Sequence, residues 1–153
     1  MTDAGAVWVD DLDLDVCWKL LGAQRVGRVG FVLDGEALVV PVNHAVDGHT
    51  IVFRTGATGL LEGLAGGSAM AFEVDGTDTA LETGWSVLVR GVATEVTDQH
   101  ERARLERLPL HPWAPGERDR WLRVVPTAVT GRAISRPRVR RVTSVVPPPL
   151  PTG

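Results

Sequence analysis

The stretch with the clearest candidate binding chemistry is FRTGATGLLEGLAGG, residues 53–67. An apolar run ends in Arg54 and Thr55, a glycine-bearing loop follows, and a short leucine-containing segment offers a helix start. Backbone N–H groups at a helix start attract anions, an arginine can hold a phosphate with two hydrogen bonds, and a threonine hydroxyl can add another. The stretch predicts a phosphate site, but it contains no lysine. The alternative is a plain strand-to-helix turn in which glycines supply positive φ.

Other catalytic patterns are not found. The four histidines show no zinc-ligand spacing, so no metal site is expected. Cys17 is the single cysteine and falls on the apolar face of a predicted helix, which favours a buried structural thiol over a nucleophile. There is no G-x-S-x-G motif, so nothing argues for a hydrolase. The catalytic residues of any enzyme activity are unassigned at this point.

Length and charge restrict the class of protein. The 153 residues are most simply one domain, and a net charge of −3 is too small to imply a nucleic-acid or membrane partner. No apolar run approaches the roughly 18 residues of a spanning helix, and we expect a cytoplasmic protein. We predict a loose segment at 1–10, one folded domain at 11–135, and an Arg/Pro-rich tail at 136–153 that is solvated or faces a partner rather than nucleic acid.

The periodicity predicts a mainly β protein. A short amphipathic helix is expected over 11–23 and another after Asp98, which has capping-box spacing to Glu101. Pro41 indicates that one side of its strand is unpaired there. Six strands are expected: three in a meander over 27–54 with turns at Asp34-Gly35 and Asp47-Gly48, then AMAFEVD, WSVLVRGVATEV with a bulge or close approach at Gly91, and WLRVVPTAVTGRAI. With two or three short peripheral helices, these strands indicate a barrel.

The chain resembles the pyridoxamine 5′-phosphate oxidase-like flavin-binding split-barrel proteins, and more narrowly their compact actinobacterial-type members. The resemblance covers residues 17–134 and is carried by the order and spacing of GRVGFVLDGEALVVPVNHAVDGHTIVFRTG, AMAFEVD, GWSVLVRGVATEV and PWAPGERDRWLRVVPTAVTGRAI. It implies a six-stranded antiparallel split barrel of the Greek-key type, a homodimer with FMN at the subunit interface, and a small-molecule redox substrate. Its implied activity is hydride transfer through the flavin.

The resemblance also implies a cofactor site. The strand segment at Pro41 would lie beside the isoalloxazine ring, and the loop after Arg54 would hold the ribityl phosphate. The segment at Trp85 would lie near the pocket, and the stretches at Pro112-Trp113 and Arg120-Trp121 would approach from the partner subunit. The implied cofactor-binding residues are Pro41, Val42, Asn43, Arg54, Thr55, Thr58, Gly59, Leu60, Trp85, Ser86 and Trp113.

The sequence departs from the family pattern at Leu60, where relatives carry a phosphate-binding lysine, and at His44, where they often carry an aromatic residue. Loss of one charge-assisted contact weakens binding by about 1.5–3 kcal/mol, or roughly ten- to hundredfold. An FMN-dependent oxidoreductase is the leading hypothesis. The alternatives are a non-catalytic flavin carrier, a deazaflavin-dependent reductase and a cofactor-free interaction module. Oxidation of pyridoxamine phosphate itself is not expected of so short a chain.

Overall fold

The computed structural model describes residues 7–56 and 60–136, which form seven antiparallel strands, two α-helices and a 3-10 helix. The predictions for 1–6, for Thr58 and Gly59, and for the tail beyond 136 lie outside the described residues. The elements are β1 Trp8–Asp11, α1 Leu14–Ala23, β2 Val26–Leu33, β3 Glu36–Asp47, β4 Thr50–Thr55, the 3-10 helix Leu60–Ala65, β5 Gly66–Asp78, β6 Thr83–Val96, α2 Gln99–Leu105 and β7 Arg120–Ser135.

Six of these strands close into the predicted split barrel. The order is β7-β4-β3-β2-β5-β6, and β6 pairs with β7 to complete the circuit. The strands β2, β3 and β4 follow one another, and β5 returns beside β2, which is the Greek-key arrangement. The mainly β architecture expected from the sequence is therefore confirmed.

The strand count differs from the sequence prediction, because the described part of the chain has seven strands rather than six. The additional strand, β1, pairs with the last residues of β7, from Trp8 opposite Ser135 to Asp11 opposite Arg132. Its first three residues had been assigned to a loose N-terminal segment. All four residues of β1 are exposed, so the strand has no buried face and leaves no alternating hydrophobic pattern to recognise.

The turns and the bulge follow their local sequence signals. Asp34 and Gly35 have φ angles of 50° and 79°, and Gly48 has a φ of 58°, as the predicted hairpins require. The register of β6 against β7 shifts after Arg90, and a Cβ on Gly91 would lie 2.2 Å from the Val125 carbonyl oxygen. Glycine is thus required by the close approach of two backbones.

Strand β4 lies between two apolar clusters, so both of its faces are buried. Phe53 faces the barrel interior with Ile51, while Val52 faces a second cluster with Leu105 and Trp121. The principal core contains Cys17, Leu21, Val29, Phe31, Ile51, Phe53, Leu61, Leu64, Met70, Phe72, Val74, Val87, Val89, Ala93, Leu122 and Val124. Burial raises the pKa of the Cys17 thiol, which suits the structural role expected of it.

Candidate functional site

The barrel is split where β3 changes its partner. Residues 36–43 of β3 pair with β2, whereas pairing with β4 runs only from His44 opposite Phe53 to Asp47 opposite Thr50. The last residues of β4, Arg54 and Thr55, pair with β7 alone. The edge of β3 over residues 40–43 therefore has no strand on its β4 side, which confirms the unpaired side expected at Pro41.

The open edge carries a defined set of main-chain groups. The His44 N–H donates to the Arg25 carbonyl on the β2 side. Main-chain groups alternate in direction along a strand, so those of Pro41 and Asn43 point toward the open side. Proline contributes only a carbonyl there, whereas Asn43 contributes both an N–H and a carbonyl.

A cavity of about 250 Å³ lies against this edge. It is lined by Val40, Pro41, Val42, Asn43, Arg54, Leu61, Pro112, Ala114 and Arg118. Most of these side chains are apolar, and two of the three polar ones are arginines. No carboxylate occurs among these described lining residues. The cavity is thus an apolar slot whose lining also carries the positive charges of Arg54 and Arg118.

The loop between α2 and β7, residues 106–119, forms the wall opposite β3 and is fixed by its main chain. The Trp113 N–H donates to Asn43 Oδ1 at 2.8 Å, and Arg54 Nε donates to the Arg118 carbonyl at 2.9 Å. Arg102 Nη2 donates to the Asp119 carbonyl at 2.7 Å. These three anchors hold the loop across the split.

The stretches at Pro112-Trp113 and Arg120-Trp121 also lie beside the cavity of their own chain. Pro112 lines that cavity, and the Trp121 ring lies under the Arg54 guanidinium. The short β4-to-β7 pairing brings this ring and the guanidinium together, because Arg54 lies directly opposite Trp121. The approach of these stretches to a site of the partner subunit, which the family resemblance implies, stays a prediction.

Arg54 is the cavity side chain whose position is best defined. Its Cζ lies 5.1 Å from the centroid of the Trp121 ring, and its Nε is bound to the Arg118 carbonyl. The two contacts fix the plane of the guanidinium and leave its terminal nitrogens for another partner. Within the described ranges, Arg54 forms no ion pair with a carboxylate. Such an arginine can bind an oxyanion through two parallel hydrogen bonds.

His44 does not face the cavity, although it directly follows Asn43. It is 5% exposed, its Nε2 lies 2.8 Å from the Leu21 carbonyl oxygen, and its ring meets Phe72 edge-on at 4.9 Å. Because a carbonyl only accepts, Nε2 carries the proton. Burial lowers the pKa of His44, so the imidazole is neutral and belongs to the core.

The remaining predicted site residues are dispersed. Thr55 is buried, on the same face of β4 as Phe53, and does not line the cavity. Trp85 and Ser86 lie on β6 and line a separate depression with Arg132. Trp113 contributes its main chain, while its side chain is 71% exposed.

The loop that the sequence predicts to bind phosphate lies partly outside the described residues. Leu60 begins the 3-10 helix, and Leu61, the next residue, lines the cavity and packs in the core. Thr58, Gly59 and the Leu60 side chain lie outside what the structure describes. Of the predicted cofactor residues, the structure therefore brings together Pro41, Val42, Asn43 and Arg54.

Sequence reasoning missed Val40, Leu61, Ala114 and Arg118 as cavity residues. Arg118 lies in a proline-rich loop without helical or strand periodicity, so no local signal marks it. The register between β4 and β7 could have suggested it, because it places Arg120 opposite Thr55 and hence the preceding loop near Arg54.

The described residues contain neither a metal-binding cluster nor a membrane-spanning helix. No group of three or more histidine, cysteine, aspartate or glutamate side chains could hold a metal ion there. No helix in the same residues is long and apolar enough to cross a membrane.

Comparisons with known proteins agree with this architecture. A family model described as pyridoxamine 5′-phosphate oxidase matches residues 13–133. A Mycobacterium tuberculosis protein described as uncharacterised is 38% identical over 128 residues, which cover 80% of this chain and 84% of that protein. The structure of the FAD-binding protein from Mycobacterium smegmatis is 36% identical, with a TM-score of 0.71 over 82% of this chain and 99% of that one. A putative pyridoxamine 5′-phosphate oxidase structure from Corynebacterium glutamicum is 29% identical, with a TM-score of 0.71 over 84% and 95%.

Proposed function

The chain belongs to the pyridoxamine 5′-phosphate oxidase family, and we propose that its cavity at the open edge of β3 binds a flavin nucleotide. The observation that carries the proposal is the composition of the cavity lining. Apolar side chains surround a slot in which the charged side chains, among the lining residues that the structure describes, are the arginines at 54 and 118. A phosphorylated ligand with a flat aromatic ring has the complementary chemistry.

The residues of the cavity fit the separate parts of a flavin nucleotide. Val40, Val42 and Leu61 offer apolar surface to the ring, and the main chain at Pro41 and Asn43 offers hydrogen-bonding groups for its polar edge. Arg54 would hold the phosphate. When bound, the flavin supplies hydride or electron transfer. The protein orients the ring against β3 and excludes water from one side of it.

FMN is the ligand that we propose first, because its single phosphate suits a cavity lined by two arginines. FAD is the alternative, since the 36% identical protein from Mycobacterium smegmatis is described as FAD-binding. The deazaflavin coenzyme is a further alternative on this fold. Riboflavin has the same ring as FMN without the phosphate, so it serves as the matched control ligand.

We propose an oxidoreductase rather than a carrier, with a small-molecule redox substrate. Among the described lining residues there is no histidine, cysteine or carboxylate. Acid–base catalysis by a cavity side chain is therefore not part of the proposal. A non-catalytic flavin carrier has the same cavity chemistry, and turnover separates the two functions.

The shape of the cavity and the face beside it support the proposal of a homodimer. At about 250 Å³ the cavity is smaller than the roughly 300–1,000 Å³ that enclose most small ligands, so a bound nucleotide would extend beyond it. On the adjoining sheet face Val32 and Val39 are 67% and 70% exposed, and small residues such as Gly30 and Ala71 lie between them and β6. A second copy would cover this face and complete the site, and its Trp85 and Ser86 are the candidates to reach the ligand.

The first experiment is an absorbance spectrum of the purified protein, followed by fluorescence titration with FMN, FAD and the deazaflavin coenzyme. Bound flavin that survives desalting, or a dissociation constant in the micromolar range or below, supports the proposal. Absence of binding to all three ligands at several hundred micromolar refutes it. Oxidation of NADH or NADPH by the flavin-loaded protein in the presence of an electron acceptor favours the oxidoreductase, and its absence favours the carrier.

The dimer is tested separately by sedimentation. Val39→Glu places a charge on the exposed sheet face and should convert dimer to monomer without unfolding the protein. Val16→Glu, at an exposed position of α1, is the matched control. A wild-type protein that sediments as a monomer at tens of micromolar would contradict the dimer.

A further inference from the structure

We infer that Arg118 is the second cation of the anion site, so that Arg54 and Arg118 together form a two-arginine clamp for the phosphate group of the ligand. This inference rests on the proposed function. It assigns a binding role to a loop residue that lies 64 positions along the chain from Arg54. The ligand class is a phosphate monoester or a diphosphate ester, which carries about two negative charges near neutral pH.

The sequence requires the second cation to come from elsewhere in the fold. After Arg54 there is no lysine or arginine until Arg90, so neither the glycine-bearing loop nor the 3-10 helix provides one. Arg118 is brought to the same cavity by the loop that crosses the split. It is therefore the side chain placed to act with Arg54.

Arg118 acts on the site through two different groups. Its carbonyl accepts the hydrogen bond of Arg54 Nε and so orients the Arg54 guanidinium. Its own side chain is half-buried and lines the cavity. The first role needs only the main chain, so it persists when the side chain is shortened.

The Arg118 guanidinium has no competing partner in the part of the chain that the structure describes. No side-chain hydrogen bond or ion pair involves it there. Its neighbours Glu117 and Asp119 are exposed, and neither lines the cavity. The described lining of the cavity holds two arginines and no carboxylate, so the two guanidinium groups repel each other. A bound dianion attracts both of them and offsets that repulsion.

The loop is held firmly enough to make the clamp specific. The Trp113 N–H and the Asp119 carbonyl are anchored at 2.8 and 2.7 Å on the two sides of Arg118. A preorganised guanidinium loses less conformational entropy on binding than a free one. The clamp should therefore discriminate strongly between phosphorylated and unphosphorylated forms of one ligand.

The test compares FMN with riboflavin in Arg118→Ala, Arg118→Lys and the control Arg107→Ala, an exposed arginine of the same loop that does not line the cavity. Arg118→Ala should weaken FMN binding by about tenfold or more and riboflavin binding by less than about twofold. Arg118→Lys should recover part of the loss, and the control should match wild type. An unchanged FMN affinity in Arg118→Ala, or an equal loss for riboflavin, would overturn the inference.

Two further arms separate this inference from the proposed function. Leu60→Lys should be made in the wild type and in Arg118→Ala. It should raise FMN affinity by a larger factor in Arg118→Ala, because the new lysine replaces the positive charge that this variant has lost. Inorganic pyrophosphate is the probe without a ring: it should bind wild type and the Arg107→Ala control but not Arg118→Ala. Pyrophosphate binding without any flavin binding would refute the flavin function and support the clamp, whereas equal pyrophosphate affinity in wild type and Arg118→Ala would refute the clamp.

Discussion

Arginines stand near both ends of β4, but their surroundings differ. At the start of the strand is a paired cluster, defined by Asp47, Glu101, Arg104 and Arg123. Arg104 binds both oxygens of Asp47 at 2.8 and 2.6 Å, and Arg123 bridges Asp47 and Glu101 at 2.7 and 2.6 Å. At the end of the strand is an unpaired cluster, Arg54 and Arg118, and the described residues that line their shared cavity include no carboxylate.

The difference shows how residues of one type serve two purposes. In the paired cluster each arginine joins α2 or β7 to the end of β3, so its charge is neutralised by the fold itself. In the unpaired cluster the guanidinium of Arg54 is positioned by a carbonyl and an indole ring, neither of which neutralises it. We therefore assign the paired cluster to stability and the unpaired cluster to ligand binding.

The largest expected effect lies in the paired cluster. The Asp47 and Arg123 side chains are 15% and 16% exposed, so Asp47→Ala removes one of the two carboxylates that neutralise a largely buried Arg123 and leaves it with Glu101. We expect a loss of about 3 kcal/mol in the free energy of unfolding, near the low end for breaking a buried ion pair. Urea denaturation of the wild type, Asp47→Ala and the exposed control Asp10→Ala measures it. If Asp47→Ala loses no more free energy of unfolding than Asp10→Ala does, the paired cluster does not stabilise the fold.

The next effect lies in the unpaired cluster. Arg54→Met removes the charge but retains an unbranched side chain to pack on Trp121, so stability should change little. We expect FMN affinity to fall about ten- to hundredfold, because a charge-assisted contact is lost. Calorimetric titration gives the affinity, with urea denaturation as the control for folding. A large loss of stability without a loss of affinity would reverse our assignment of the two clusters.

Acidification should distinguish the clusters through the titration of Asp47. Hydrogen bonds from Arg104, reinforced by Arg123, hold the pKa of Asp47 well below its ordinary value of 3.8. The unfolded chain therefore binds the proton first, and the stabilising contribution, complete above about pH 5, is lost as the pH falls through 3.8 toward the folded-state pKa. Glu95 and Glu101, whose pKa values are also lowered, contribute with the same sign.

Urea denaturation at about pH 6, 4 and 3 measures this dependence. Asp47→Ala should show a smaller loss of stability on acidification than the wild type, while Arg54→Met should lose as much as the wild type. Parallel curves for the wild type and Asp47→Ala would mean that Asp47 is not held in the ionised form by the cluster.

The smallest effect is expected at Trp113. Its side chain is 71% exposed and only its main chain anchors the loop, so Trp113→Ala should change FMN affinity by less than about twofold. Fluorescence titration checks this value. A loss of tenfold or more would place the indole against the ligand of a second subunit, as the family resemblance implied.

Local signals predicted much of the fold. Asp34-Gly35 and Asp47-Gly48 specify turns through their backbone conformations, and Pro41 marks the unpaired strand edge because it has no N–H to donate. Arg54 was recognisable because it ends an apolar strand before a glycine loop. Each of these inferences depends on a few neighbouring residues.

The rest of the site depends on long-range contacts. Arg118 reaches Arg54 only because β4 pairs with β7 and the preceding loop crosses the split, which no local pattern encodes. Trp85 was grouped with the cofactor residues through the family resemblance, but within one chain it lies at a separate depression. The exposed strand β1 has no periodic hydrophobic pattern, so the sequence did not predict its pairing with β7.

The central claim is that the unpaired cluster binds the phosphate of a flavin nucleotide, and the most direct measurement is the ratio of FMN to riboflavin affinity. The two ligands share a ring and differ by the phosphate, so the ratio isolates the contribution of Arg54 and Arg118. We predict that the wild type binds FMN at least about tenfold more tightly than riboflavin, and that Arg54→Met brings the two affinities within about threefold. Equal affinities in the wild type, or a ratio unchanged by Arg54→Met, would contradict the claim.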